Sequence, residues 1–274
     1  MPLALGAGLG YASTVAGLPP EALAPDAQAR DRHQQPRSGL ADGGAIDPAA
    51  EAVIWDDQRI VVPGLETLRT WHDTGLTWPI GKSRVKLRTV APRLVVLHCT
   101  DGERSARGVH QTLTNADNGR GYSIHFVLEE DGTIVQLLDP ATRVAAHVGG
   151  LNDESVGIEI ECAMTSKVQP VPTKPRPLDR HIYQIAVMKN GVKKWVRSRR
   201  GPCWGLYPEQ LAALAVLVPA LCVLMGVPEK LADERDYVPR EERAALRGVI
   251  GHAQVTTGHA DPPLAALNLF RAPA

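Results

Sequence analysis

This chain has no excess of charge. Its 30 Lys and Arg balance 30 Asp and Glu across 274 residues. A chain-wide surface for a polyanion is excluded on that ground, and nucleic acid is not an expected partner. Paired cysteines are lacking too. Cys99, Cys162, Cys203 and Cys222 include no C-x-x-C, which excludes a cysteine zinc knuckle and a thioredoxin-type motif, and no disulfide is demanded. There is no internal repeat. Leu211–Val227, a long apolar run, falls just under the roughly 18 residues of a plausible membrane span, and Pro219 interrupts it. Pro208 and Glu209 ahead of it read as the first turn of an ordinary helix. A buried helix against a sheet is therefore expected, and no stable membrane insertion. The N-terminus has an apolar stretch ending in Ala22-Leu23-Ala24, but no Lys or Arg precedes it. A secretory signal would carry such a charge. The expectation is cytoplasmic synthesis with release by a route other than a signal peptide.

What is present is a core. Hydrophobic residues make up 44% of the chain, and the length suits one domain with extensions. Residues 1–50 are rich in Ala, Gly, Pro and Asp without periodicity and are expected to be disordered. Residues 51–92 carry short apolar runs broken by Gly and Pro and read as an ordered leader. From Arg93 the pattern sharpens. "RLVVLH" is a short apolar, β-branched run, hence a buried strand. "ERSARGVHQTL" suits a helix. "YSIHFVLEEDGTIVQLL" predicts a hairpin, with strands Ser123–Leu128 and Thr133–Leu138 about a turn at Asp131-Gly132. "SVGIEIECA" is another strand, and "YPEQLAALAVLVPALCVLMG" a long helix. "EERAALRG" predicts a short helix closed by Gly248, and "VIGH" a last strand ending in His252. Alternating strands and helices predict an α/β fold, a central mixed sheet flanked by helices.

Two apolar strands thus end in histidine, His98 and His252. Either is a core imidazole with a satisfied hydrogen bond or a ligand on the rim of a sheet. Asp261 lies nine residues past His252, in "GHADPP". A His/His/carboxylate set suits catalytic zinc, whose fourth position is left to water. Spacing alone does not decide, because nine histidines offer many accidental triples.

The order of "LVVLHCTDG", "YSIHFVLEEDGTIVQLLD", "AAHVGGLNDESVGIEIE" and "VIGHAQVTTGHADP" resembles the zinc-dependent N-acetylmuramoyl-L-alanine amidases of the type 2 fold, which includes peptidoglycan recognition proteins. The resemblance covers about Arg93 to Phe270. It implies zinc held by His98, His252 and Asp261, with peptidoglycan or a muropeptide as substrate. It implies hydrolysis of the amide between N-acetylmuramic acid and L-alanine. Glu159 matches the glutamate that serves the attacking water. His259 stands where many members carry a lysine that stabilises the oxyanion. His147 and Asn152 match positions that contact substrate, and His125 reads as a buttress. Alternation sets Glu159 and Glu161 on one side of their strand, and points Cys99 away from His98 and the metal. Two departures are plain. Ile124 stands where lysozyme-type members have tyrosine, and "DPP" replaces "DPG". The competing reading is a peptidoglycan-binding module of the same fold without activity. The complete ligand set argues against it.

One segment is strongly basic. Thr165–Gly205 carries ten Lys and Arg against Asp179 alone, about +9 in a neutral chain. Asn190-Gly191 inside it signals a hairpin. It reads either as a solvated insertion or as a surface for anionic wall polymers.

Overall fold

The computed structural model describes residues 52–272 except 66, 101, 103, 115–120, 163–175 and 190–191, and the side chains of 185–197 fall outside the description. The N-terminal segment expected to be disordered lies outside these residues.

The leader folds first in chain order. Strands β1 (Ala52–Trp55) and β2 (Gln58–Val61) pair antiparallel about Asp56-Asp57. Both turn residues have positive φ, 55° and 59°, as a two-residue hairpin turn requires. Asp139 fixes that turn by accepting the Asp56 and Asp57 N–H groups at 3.2 and 2.8 Å. Strand β3 (Leu68–Thr70) runs into a one-turn helix, α1 (Trp71–Thr74), capped by the Thr70 hydroxyl and closed by Gly75 in the left-handed region. The short strand β4 (Lys86–Leu87) completes the leader.

The body is a six-stranded mixed sheet. Its strands are β5 (Leu94–Cys99), β6 (Phe126–Leu128), β7 (Ile134–Gln136), β9 (Ser155–Ile160), β12 (Gly248–Gly251) and the leader's β3, in the order β12-β5-β9-β6-β7-β3. Only the β6–β7 pairing is antiparallel. Strand β8 (Arg143–Val144) pairs with β4 outside this sheet. Helix α2 (Ala106–Thr114) follows β5, and α3 (Pro208–Met225) covers one face. Parallel strands covered on both faces need apolar residues at every position, which explains the unbroken run Leu94–Leu97.

Side-chain alternation divides the two faces. Val95, Leu97 and Cys99 of β5 and Val156, Ile158 and Ile160 of β9 pack in one cluster with Leu214, Leu217, Val218 and Leu221 of α3. Leu94 and Val96 belong to a separate cluster with Val148, Val238 and Val255. His98 and Glu159 follow the second phase, away from α3. Full burial of each such leucine stabilises the fold by about 1.5–3 kcal/mol. Leu217→Ala, at a fully buried position, would cost about 2–5 kcal/mol. By length and composition α3 could cross a membrane. Here its buried side lies against the sheet, as expected.

The structure corrects three boundaries. The β6–β7 hairpin is shorter than expected and pairs only Phe126–Leu128 with Ile134–Gln136, although the Leu137 N–H still donates to the His125 carbonyl at 2.7 Å in the same register. Arg240–Ala245 forms a 3-10 helix, and Gly248 is not its cap but the first residue of β12. There a Cβ would lie 2.5 Å from the Lys230 carbonyl oxygen, with φ at 114°. Only glycine fits. His252 is not in the last strand; it opens the one-turn helix α4 (His252–Val255). The last helix is α5 (Leu264–Asn268).

The basic segment contains a long antiparallel ribbon, β10 (Leu178–Lys189) and β11 (Val192–Trp204). Its base is tied to the body. Gln184 Nε2 donates to the Asp236 and Ala253 carbonyls at 2.8 and 3.0 Å. Asp179 accepts from Ala265 N–H at 2.8 Å, and Arg200 pairs with Asp236 at 2.9 Å.

Candidate metal centre

Strand β12 lies beside β5 in parallel, with Gly251 opposite Leu97. The next residue of each chain segment is therefore a histidine, and the two imidazoles meet where the strands leave the core. His98 Nδ1 lies 3.0 Å from His252 Nδ1. Asp261 Oδ2 lies 3.2 Å from His252 Nδ1 and 3.7 Å from His98 Nδ1. The Asp261 backbone is held by the Ala253 N–H at 2.8 Å, and its carboxylate by the Cys99 N–H at 3.2 Å. All three residues are buried, and their ligand atoms fall within 4.8 Å of one another.

Those separations, 3.0, 3.2 and 3.7 Å, bracket the donor spacing around a divalent metal to within a few tenths of an ångström. Bonds of about 2.0–2.2 Å in a tetrahedral sphere place neighbouring donors roughly 3.3–3.6 Å apart. Two imidazole nitrogens and one carboxylate oxygen are also the donor types zinc takes with an open fourth position.

The electrostatics keep His98 and Asp261 in ligand form. Burial, with His252, His147 and His259 nearby, pushes His98 well below the usual histidine range, so its ring is neutral. Burial works to raise Asp261. The facing His252, its hydrogen bond, His259 and the Cys99 N–H outweigh it and hold the carboxyl below the usual range. Glu159 lies beside His98 on the neighbouring strand, in register. Burial, and then the negative charge of Asp261, push its carboxyl up to about 8, with Arg104 opposing. A proton-transfer group is most effective with its pKa near the working pH. A bound divalent cation would draw this value down.

The other expected residues are placed as follows. His259 is the exposed member, with its side chain half exposed and Nδ1 3.9 Å from Asp261 Oδ1. Its ring lies 4.0 Å, centre to centre, from that of His252. His147 touches His98, Nδ1 to Nε2 at 2.9 Å, and its Nε2 meets the Ser155 hydroxyl at 3.1 Å. Burial, then His252 and Arg88, push its pKa down to about 3. The Asn152 side-chain oxygen accepts the His147 and Val148 N–H groups at 2.9 and 2.7 Å, which leaves its amide nitrogen for other contacts. His125 Nδ1 accepts the Gly157 N–H at 3.0 Å, so it braces strand β9. Cys99 lies on the α3 face, away from the three ligand atoms.

A sequence model of the N-acetylmuramoyl-L-alanine amidases matches residues 88–263. The chain belongs to this family. None of the curated proteins matches it. Among solved structures, the endolysin amidase LysCS of Clostridium intestinale is 17% identical, with 67% of this chain and 84% of that one covered and a TM-score of 0.37. The Drosophila peptidoglycan recognition protein SA is 15% identical, with 74% and 88% covered and a TM-score of 0.39. An AmpD derivative is 18% identical, with 72% and 93% covered and a TM-score of 0.38.

Within this amidase-family chain, three contributors to the site went unmarked in the sequence. Ser155 and Gly157 share the face of Glu159. Counting back by two from that glutamate would have found both. Arg104, beside Glu159 in charge terms, follows a stretch with no pattern that singles it out. A cavity of about 940 Å³ is lined by none of His98, His147, Glu159, His252, His259 and Asp261. Its wall includes Gly149, Gly150, Val255 to Thr257, and Gln184 and Ser198 of the ribbon.

Proposed function

We propose that this protein is a zinc-dependent N-acetylmuramoyl-L-alanine amidase that acts on peptidoglycan or muropeptides. One observation carries the reading: the buried convergence of His98, His252 and Asp261 with Glu159 in register beside His98. A module that only binds the wall needs neither three converging metal donors nor a carboxyl tuned near neutrality. Family membership supplies the bond to be cleaved, the amide joining the lactyl group of N-acetylmuramic acid to L-alanine.

His98, His252 and Asp261 would hold the metal, whose Lewis acidity polarises the amide carbonyl and makes water a better nucleophile at neutral pH. Ionised Glu159 accepts a proton from the attacking water and delivers it to the departing nitrogen. The C–N bond breaks, leaving a lactyl carboxylate and the free amino group of L-alanine. His259, at the exposed edge, donates a hydrogen bond to the oxyanion. The Asn152 amide nitrogen and the His147 ring edge contact the substrate. The partner is the wall polymer or its fragments. Neutral net charge argues against nucleic acid, and the packing of α3 against stable membrane insertion.

The test is digestion of purified sacculi with and without a chelator, followed by mass spectrometry of the soluble products. Chelator-sensitive release of stem peptides starting with free L-alanine is expected. Zinc-loaded protein that binds sacculi but releases nothing would establish the binding-module alternative instead.

A further inference from the structure

We propose that His147 is a positioning residue for the metal ligand His98, held in its working tautomer by Ser155. The inference rests on the reading of His98 as a ligand and adds the element that orients it.

The hydrogen-bond directions follow from one hydroxyl. Ser155 Oγ lies 2.8 Å from the Leu151 carbonyl oxygen, which can only accept. The single hydroxyl proton goes there. Toward His147 Nε2, at 3.1 Å, Ser155 must therefore accept, so His147 carries its proton on Nε2 and leaves Nδ1 bare. His98 Nε2 lies 2.9 Å from that bare nitrogen and must be the donor. The proton of His98 is thus fixed on Nε2. Its Nδ1 lone pair is left facing His252 and Asp261. A backbone carbonyl three links away selects the ring nitrogen offered to the metal. Ligating histidines ordinarily donate their second N–H in this way, which fixes tautomer and ring orientation.

The fold makes room for this link. Strand β9 presents Ser155, Gly157 and Glu159 on the site face in succession. Ser155 anchors His147, Glu159 flanks His98, and Gly157 between them is a notch. A Cβ on Gly157 would lie 2.6 Å from His147 Nδ1 and 2.4 Å from Ile124 Cδ1. The His147 backbone is held as well, since Asn152 accepts its N–H. Ring, backbone and clearance are each set by a different residue of one short stretch, 147–157.

Zinc affinity decides the matter, measured by competition with a chromophoric chelator on the full chain. Urea unfolding of the metal-free form is the control for folding, and the visible spectrum of the cobalt-substituted form reports on ligand geometry. His147→Ala should weaken zinc binding by about 10–100-fold, with an altered cobalt spectrum and little change in the metal-free unfolding midpoint. His147→Asn, whose side-chain oxygen can stand near the position of Nδ1, should restore most of the affinity. Ser155→Ala should give a smaller loss in the same direction. Wild-type zinc affinity in His147→Ala, or equal losses in the Ala and Asn variants, would overturn the assignment. Failure of the wild-type chain itself to bind zinc would bring down the ligand reading beneath it, an outcome visible before any variant is made.

Discussion

His98 and Glu159 stand side by side on adjacent parallel strands, in register and on the same face of the sheet. One strand brings a candidate metal ligand and its neighbour a carboxyl raised to about 8. Because both sit on rigid strands and not on loops, their relative position is set by the ladder of backbone hydrogen bonds.

The first prediction concerns metal. One zinc per chain is expected, with sharp loss of zinc in His98→Ala and His252→Ala by elemental analysis. Both variants retaining a full equivalent would remove these residues from the ligand set.

Glu159→Gln should keep both zinc and fold, because the residue is placed beside the ligands and not among them. Hydrolysis of a soluble muropeptide should fall by about 10²–10⁴-fold, the usual loss on removing a general base. Turnover near that of the wild type would show that another group accepts the water proton.

His259→Ala should slow cleavage of small and polymeric substrates alike, by up to about 10²–10³-fold, if the ring donates to the oxyanion. The ribbon should behave in the opposite way. Lys193, Lys194 and Arg199 replaced by serine should weaken binding to sacculi at low salt and leave small-substrate cleavage unchanged. Their effect should fade as salt shortens the Debye length below about 8 Å. Arg200 is left intact in this variant, because its pairing with Asp236 ties the ribbon to the body. Crippled small-substrate cleavage in the ribbon variant would reverse the two assignments.

Glu161 gives a pH prediction away from the metal ligands. Burial, with Glu130 and Glu129 nearby, pushes it up to about 7, against the Glu130 N–H and Arg176. The folded state therefore holds this proton more tightly than the unfolded chain. The stability that follows is full below the unfolded value near 4.5 and is lost as pH rises through about 7. Glu161→Gln should remove this loss, gaining on the order of 1–2 kcal/mol over wild type between pH 5 and 8 in urea unfolding. An unchanged difference across that range would mean that Glu161 titrates normally.

Much of this site was legible in the sequence because its parts are local. Unbroken apolar runs dictate buried parallel strands, and a histidine just past such a run is left at the rim of a sheet. Period-two alternation alone put Cys99 opposite His98, and Glu159 apart from Ile158 and Ile160. The family resemblance carried by "GHADPP" and the motifs before it pointed to Asp261 as the third candidate donor. The sequence by itself therefore determined the sheet's apolar strands, the long helix and the residue types of the candidate ligands. Only the tertiary structure decided which strands are neighbours. The adjacency of β12 and β5 joins residues 154 positions apart, and local periodicity carries no record of parallel pairing. It also decided which ring nitrogen His98 presents. That depends on the hydroxyl of Ser155 and the clearance over Gly157, contacts across strands and loops that no spacing along the chain expresses.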